Sequence, residues 1–272
     1  MKIVEFRIIL PTNVPQYQIG NLYMCAQRTR EEAGNGEGIE ILKNEPYENW
    51  NGENGQFTHK IMHFKSRVPA AIRWAIPDKY LHVHEVSHNG YPHFHTLYNI
   101  PGQDDWFSLL VESQHIEYES EKGIPENVLN LTEEELKIRK VIYLDIINSN
   151  PAPSKKEWDM HDFICPEAGV ETKLFSPTGK CDETQAPDWT NEYKGTMMAC
   201  VKVIKFNFKW RGLQDIVENF ALNNVLHDTF LDSNRALMHW ADKWFPMDMQ
   251  QIRELEDKVL EEQKSQEFIR DE

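Results

Sequence analysis

The residues TMMACVKVIKFNFKW (196–210) and LQDIVENFALNNVLHDTFLDSNRALMHWADKW (213–244) decide the fold class of this chain. In the first stretch every second residue from Met198 to Phe208 is apolar except Lys202, which predicts a strand about 50 Å long. In the second, apolar residues recur at helical spacing without a proline, which predicts a helix of about 48 Å. Pro246 ends this pattern, and the capping-box spacing of Asp248 and Gln251 begins a charged final helix. A long strand that leads into long C-terminal helices indicates an α+β fold.

Six shorter strand patterns upstream predict a largely antiparallel sheet. They cover residues 4–10, 57–64, 81–89, 93–98, 107–115 and 141–147. Most are joined by turns that contain Gly, Asn or Pro. A helix is expected after Pro11, with Thr12 or Asn13 as its cap. Residues 150–191 are rich in Pro, Gly, Asp and Glu without a sustained period, which predicts a long surface excursion from a single domain.

Acidic residues outnumber basic ones by 44 to 29, which gives a net charge of −15. This charge repels nucleic acid and anionic membranes, so no nucleic-acid partner is expected and membrane contact should be brief. Glu5 and Arg7 interrupt the apolar N-terminus where a secretory signal needs an unbroken apolar core, which predicts a cytoplasmic protein. The cysteines form no Cys-x-x-Cys pair, so neither a zinc knuckle nor a disulfide framework is expected. They are Cys25, Cys165, Cys181 and Cys200.

Three charged residues fall on apolar faces of the predicted elements. Lys60 shares its strand face with Met62, and Lys202 shares its face with Ile204. Glu256 lies on the apolar stripe of the final helix. An unpaired buried charge costs several kcal/mol, so each group needs a partner. The residues alone leave two interpretations open: groups that reach the rim or pair internally, and a polar ligand head inside an apolar cavity.

Histidines cluster between residues 82 and 95, beside Glu85. His82 and His84 share a strand face, but Glu85 points to the other, so the spacing is poor for the metal site of a β-barrel enzyme. We therefore expect solvated histidines on a strand face, with no metal and no cofactor.

Several long motifs are similar to those of the phosphatidylinositol transfer protein family. They are RIILP (7–11), GEGIEILKNEPYENWNGENGQFTHKIMHFKSRVP (36–69), FKWRGLQDIVENF (208–220) and DKW (242–244). The resemblance runs in register from residue 3 to about residue 262, with gaps at about 155–190. It implies a START-like helix-grip fold, in which a strongly curved, mainly antiparallel sheet encloses a phospholipid and a long helix closes the mouth. The expected organisation is one domain over 1–262, a divergent surface excursion at 155–190 and a charged tail at 263–272.

The resemblance also implies a head-group site. Inositol binding falls on Thr58, Lys60, Asn89 and Glu256, and phosphate binding falls on Thr96, Ser113, Lys202 and Asn21. Ser113 stands where the family has threonine, and Asn21 replaces a glutamine. Glu85 shares its strand face with Asn89 and is expected to support the site.

Residues 68–80 resemble the family's lipid-exchange loop, so Ile72, Trp74 and Ile76 are expected to enter a membrane surface. Trp210 matches the first of two adjacent tryptophans that many members use for docking. Arg211 stands in the place of the second. We therefore expect docking that is weaker, or that depends more on Trp74 and on anionic lipid.

The function implied is a monomeric carrier that holds one phosphatidylinositol or phosphatidylcholine as cargo and exchanges it between membranes without covalent chemistry. One alternative is a lipid sensor with another head-group preference, such as phosphatidic acid. The other, from the histidines, is a metal-dependent β-barrel enzyme that uses His82 and His84.

Overall fold

The computed structural model describes residues 1–32, 38–63, 77, 82–174, 176 and 178–264. Within these residues eight strands form one sheet: β1 (Lys2–Leu10), β2 (Gly38–Trp50), β3 (Glu53–His63), β4 (His82–Gly90), β5 (His93–Asn99), β6 (Phe107–Tyr118), β7 (Arg139–Leu144) and β8 (Met197–Phe208). The described α-helices are α1 (Val14–Glu32), α2 (Glu133–Ile138), α3 (Trp189–Glu192), α4 (Gln214–Phe220), α5 (His227–His239), α6 (Ala241–Trp244) and α7 (Met249–Lys264).

The sheet is large, curved and mostly antiparallel, as the sequence predicts. Its strand order is β2-β3-β4-β5-β6-β8-β1-β7. Each neighbouring pair from β2 to β1 is antiparallel, whereas β7 runs parallel to β1 at the edge. The predicted long strand is β8, which pairs with both β6 and β1 and is buried over most of its length. The α+β fold class is therefore confirmed.

Helix α1 crosses the sheet and packs against the C-terminal helices. Asn13 caps it, because the Asn13 side chain accepts a hydrogen bond of 2.8 Å from the backbone N–H of Gln16. Gly20 allows the close approach of Trp244, since a Cβ at Gly20 would lie only 2.8 Å from the indole ring. The cap predicted at Thr12 or Asn13 is thus formed by Asn13.

The continuous helix predicted over residues 213–244 is divided in the structure. A π-helical segment, Ala221–Leu226, separates α4 from α5, and Trp240 leaves helical geometry between α5 and α6. Trp244 is fully buried, and its indole N–H donates to the Leu237 carbonyl at 2.7 Å. The apolar spacing is compatible with one helix, but the chain leaves helical geometry at Trp240, before the buried Trp244.

The segment 150–191 combines exposed loops with side chains that belong to the core. Trp158 and Trp189 are 1% and 0% exposed, and Met160 and Val170 are buried in the same region. The buried guanidinium of Arg235 on α5 ties the start of this segment to the helices, because it donates to the carbonyls of residues 146, 149 and 151. The segment therefore supports the helices that face the sheet.

Candidate ligand-binding site

Three rows of side chains cross one face of the sheet, which we call the inner face because it carries Lys60 and Lys202. The Lys202 row is Gln56, Asn89, Phe94, Ser113 and Lys202; the hydroxyl row is Thr58, Ser87, Thr96, Val111 and Ile204; the Lys60 row is Lys60, Glu85, Tyr98, Leu109 and Phe206. Residues directly opposite each other on paired strands point to the same side. All seven strand residues predicted to contact or support the head group therefore lie on the inner face.

Lys60 is held by Glu85 at one end of the inner face. Its ammonium lies 3.0 Å from the Glu85 carboxylate, and the two side chains are 19% and 9% exposed. Burial alone would lower the pKa of Lys60, but the charge and hydrogen bond of Glu85, together with the charges of Cys25 and Glu256, outweigh burial and raise the pKa. Tyr98 on β5 lies directly opposite Glu85, and burial together with this carboxylate raises the pKa of the phenol well above its ordinary value. Glu85 thus lies between the charged ammonium of Lys60 and the neutral phenol of Tyr98.

The environment of Lys202, in the Lys202 row, differs from that of Lys60. Its ammonium donates to the Ser113 hydroxyl at 3.1 Å and lies 5.3 Å from the centre of the Phe230 ring on α5. Among the residues that the structure describes, no carboxylate forms an ion pair with Lys202. Within the described part of the chain, this cation on the inner face is therefore stabilised by a hydroxyl and a ring face and has no anion beside it.

The hydroxyl row lies between these two lysines. Ser87 donates to Thr96 at 2.9 Å. Thr58 is 9% exposed, and its hydroxyl has no hydrogen-bond partner within the described part of the chain. A buried hydroxyl without a partner costs about 1–3 kcal/mol. The row therefore offers unsatisfied hydrogen-bonding capacity to the interior.

The environment of Cys25 on α1 indicates a hollow between this helix and the sheet. Its side chain is exposed to solvent, yet burial raises the pKa of its thiol, and the charges of Lys60 and Glu85 act on this pKa in opposite directions. A side chain meets both conditions when it faces a space that protein encloses. Asn21 lies one helical turn before Cys25 and is half-buried on the same side of α1. The predicted phosphate residue Asn21 therefore lies on the helix face that covers the sheet.

Glu256 reaches this hollow from α7. It forms a close ion pair with Arg253 one turn away, and its charge acts on both Lys60 and Cys25. The structure thus brings Glu256, Lys60 and Glu85 to one end of the hollow. Asn89, predicted with the same inositol group, instead lies in the Lys202 row, four residues along β4 from Glu85.

The predicted membrane-contacting residues fall in two places. Ile72, Trp74 and Ile76 lie outside the described residues. Trp210 follows β8 and is half-buried, with its ring at 5.2 Å from Trp106 in an edge-to-face contact. Arg211 beside it is exposed.

The clustered histidines lie on the opposite, outer face of the sheet. His59 contacts His84 at 2.9 Å, and His63 contacts His82 at 2.8 Å. Burial lowers the pKa of both His59 and His84, which favours neutral rings. Over the described ranges, no group of three or more His, Cys, Asp or Glu side chains is arranged to hold a metal ion.

The sequence analysis missed two inner-face residues, Ser87 and Tyr98, and also Cys25 on α1. Ser87 and Tyr98 each share strand parity with a residue that was selected, so parity provided a signal for them. Cys25 follows the selected Asn21 by four residues, which is a weaker signal because the inward face of a helix depends on tertiary packing.

No helix within the described ranges combines the length and apolar character needed to cross a membrane.

The fold is that of an α+β protein with a large curved sheet and C-terminal helices, an architecture consistent with a lipid-binding cavity. Residues 1–261 match the family model described as Phosphatidylinositol transfer protein. The chain is 38% identical over 267 residues to the human Phosphatidylinositol transfer protein beta isoform, with 96% of this chain and 92% of the relative covered. It is 38% identical over 266 residues to Phosphatidylinositol transfer protein 5 of Dictyostelium discoideum, with 97% and 86% covered. The chain belongs to the phosphatidylinositol transfer protein family.

Proposed function

We propose that this protein takes up one phosphatidylinositol or phosphatidylcholine molecule and exchanges it between membranes without covalent chemistry. The observation that carries the proposal is Lys202, a half-buried cation with Ser113 at 3.1 Å and no carboxylate among its described neighbours. A phosphodiester supplies the missing charge, and a charge-assisted hydrogen bond favours its binding. Both lipids carry this phosphodiester.

The remaining predicted residues complete the head-group site. Phosphate binding uses Thr96, Ser113, Lys202 and Asn21, and inositol binding uses Thr58, Lys60, Asn89 and Glu256, with Glu85 holding Lys60. Hydroxyl and amide groups donate to or accept from the ring hydroxyls, while Glu256 accepts from them. Choline carries no such hydroxyls, so these groups favour inositol.

The acyl chains supply affinity without selecting a head group. A lipid with about 30 methylenes gains about 0.8 kcal/mol for each one buried, in the bilayer or in the protein. The two environments therefore nearly balance, and a carrier can release its cargo. No cofactor is needed for this exchange.

We further propose that the protein acts as a cytoplasmic monomer that touches membranes transiently. Trp210 and the exchange-loop residues Ile72, Trp74 and Ile76 supply apolar contacts with the bilayer surface. The net charge of −15 opposes lasting adsorption to anionic membranes. Brief docking suits a protein that must leave with its cargo.

Transfer of labelled phosphatidylinositol and phosphatidylcholine between vesicles tests the proposal. Lys202→Met removes the cation while keeping an unbranched apolar side chain, and it is expected to lower transfer of both lipids about 10- to 100-fold, since hydrogen bonds to charged groups contribute about 1.5–3 kcal/mol. Lys205→Met is the matched control. Lys205 lies on the outer face of the same strand, 2.7 Å from Glu135, and its loss should leave transfer unchanged.

Mass spectrometry of lipid bound after incubation with mixed vesicles completes the test. One phosphatidylinositol or phosphatidylcholine per chain, together with fast exchange, is the expected result. A protein that retains its lipid without exchanging it, or that binds phosphatidic acid alone, would instead be a sensor. Equal effects of the two lysine substitutions would contradict the assignment of Lys202.

A further inference from the structure

Ser87 occupies the centre of the hydroxyl row. It is directly opposite Thr58 on β3 and Thr96 on β5, so its Cβ lies within about 4.5–5.5 Å of each neighbour's Cβ. Its side chain is only 3% exposed. Ser87 therefore stands between a residue expected to bind the inositol ring and one expected to bind the phosphate.

The hydrogen bonds within this row leave some hydroxyl donors and acceptors available to a ligand. The bond from Ser87 to Thr96 uses the hydroxyl hydrogen of Ser87, and the hydrogen of Thr96 stays available. Each hydroxyl also has two acceptor lone pairs. Ser87 can thus accept from a ligand hydroxyl while Thr96 donates to a ligand oxygen, and Thr58 beside them has no partner among the described residues.

We propose that Ser87 binds the head group where the inositol ring joins the phosphodiester and helps to distinguish inositol from choline. The inference rests on the proposed function. Ring hydroxyls on the carbons that flank the phosphodiester are donors, and the free lone pairs of Ser87 accept from them while Thr96 donates to the phosphate. Choline has a methylene group at this position and offers no donor. The hydroxyl row is therefore a junction between the phosphate and inositol contacts.

The test compares transfer of phosphatidylinositol and phosphatidylcholine by Ser87→Ala. Phosphatidylinositol transfer should fall about 3- to 10-fold relative to phosphatidylcholine transfer, as expected for the loss of one hydrogen bond between neutral groups. Ser87→Thr retains the hydroxyl and should restore the ratio. Ser108→Ala is the matched control, since Ser108 lies on the outer face of β6 opposite Asn99 and Asn207 and should not change the ratio.

A phosphatidylinositol analogue that lacks the ring hydroxyls flanking the phosphodiester separates ligand contact from a general structural effect. The wild-type protein and Ser87→Ala should transfer this analogue equally well. An unchanged ratio in Ser87→Ala, or the same loss with the analogue as with phosphatidylinositol, would overturn the role of Ser87 and leave the proposed function intact. If the wild-type protein transfers neither lipid, the proposed function itself fails.

Discussion

His115 provides a sharp test of the packing around the Lys202 row. It is 2% exposed on the inner face of β6, and its Nδ1–H donates to the Pro92 carbonyl at 2.8 Å. The ring stacks on Tyr91 and contacts Tyr17, with centroids 5.1 and 4.9 Å away. Its Nε2 is buried without a partner among the described residues. A proton on Nε2 would place an unpaired charge inside an aromatic box.

The free-energy cost of protonating His115 in the folded protein sets how much stability is lost at low pH. Burial and, secondarily, the charge of Lys202 lower the pKa of His115 to about 3. In the unfolded chain the pKa is about 6.5, so the unfolded state takes up the proton first as the pH falls. Stability is therefore lost progressively from about pH 6.5 down to about pH 3. At pH 5, about 1.5 pH units below the pKa of the unfolded chain, each unit costs about 1.36 kcal/mol. The free energy of unfolding is therefore lower by about 2 kcal/mol than at neutral pH.

Urea denaturation at pH 7.5 and pH 5, with the same lipid load in every sample, measures this difference. His115→Phe fills the aromatic box without titrating, and His115→Gln is a second variant that does not titrate. Both should be less stable than the wild type at pH 7.5, because each disturbs the hydrogen bond or the ring packing. Between the two pH values, however, each should lose about 2 kcal/mol less than the wild type. Equal losses in all three proteins would refute the assigned burial of His115.

Lys60→Met and Glu85→Gln should each lower the free energy of unfolding, measured by urea denaturation, by about 3 kcal/mol, because either change leaves a buried charged or polar partner unmatched. The double variant should recover most of this lost stability. Additive losses would contradict the ion pair. Lys60→Ala or Glu256→Ala should abolish phosphatidylinositol transfer and spare phosphatidylcholine transfer; equal loss of both activities would refute their inositol role. Cys25 should react with a maleimide in the empty protein and be protected after lipid loading, with Cys25→Ser identifying the labelled site by mass spectrometry. Trp210→Ala should lower the transfer rate without lowering bound lipid, and a matching loss of bound lipid would point to a folding defect.

Strand parity predicted the inner face well because side chains on a strand alternate with a fixed period of two. Lys60 and Lys202 were recognised as charges on an apolar face, and the structure places both there. Parity does not reveal which residues on different strands are neighbours. Asn89 was grouped with Lys60, yet the register puts it in the row of Ser113 and Lys202. Register depends on turns and pairing across the whole sheet, which a local pattern does not encode.

Helix geometry was harder to predict for a related reason. The spacing over residues 213–244 is compatible with one helix, but the position of Trp244 against Gly20 depends on how α1 and α6 meet. The same applies to Trp158 and Trp189, whose surroundings come from distant parts of the chain. Composition alone marked their segment as polar. A few buried aromatic residues can anchor such a segment without changing its average composition.

The charges of the inner face support the proposed binding of one phosphodiester. Lys60 is paired with Glu85, and Glu256 is paired with Arg253, so these four charges offset each other at the inositol end. Lys202 has no carboxylate partner among the described residues, and it lies near the hydroxyls of Ser113 and the hydroxyl row. A single phosphate can therefore be neutralised at Lys202, while the described residues at the end predicted to bind inositol offer hydrogen bonds and no unpaired cation. Under the proposed function, the charge of Lys202 would retain phosphatidylinositol and phosphatidylcholine alike, because the two lipids share that phosphate, and the neutral contacts would select between them.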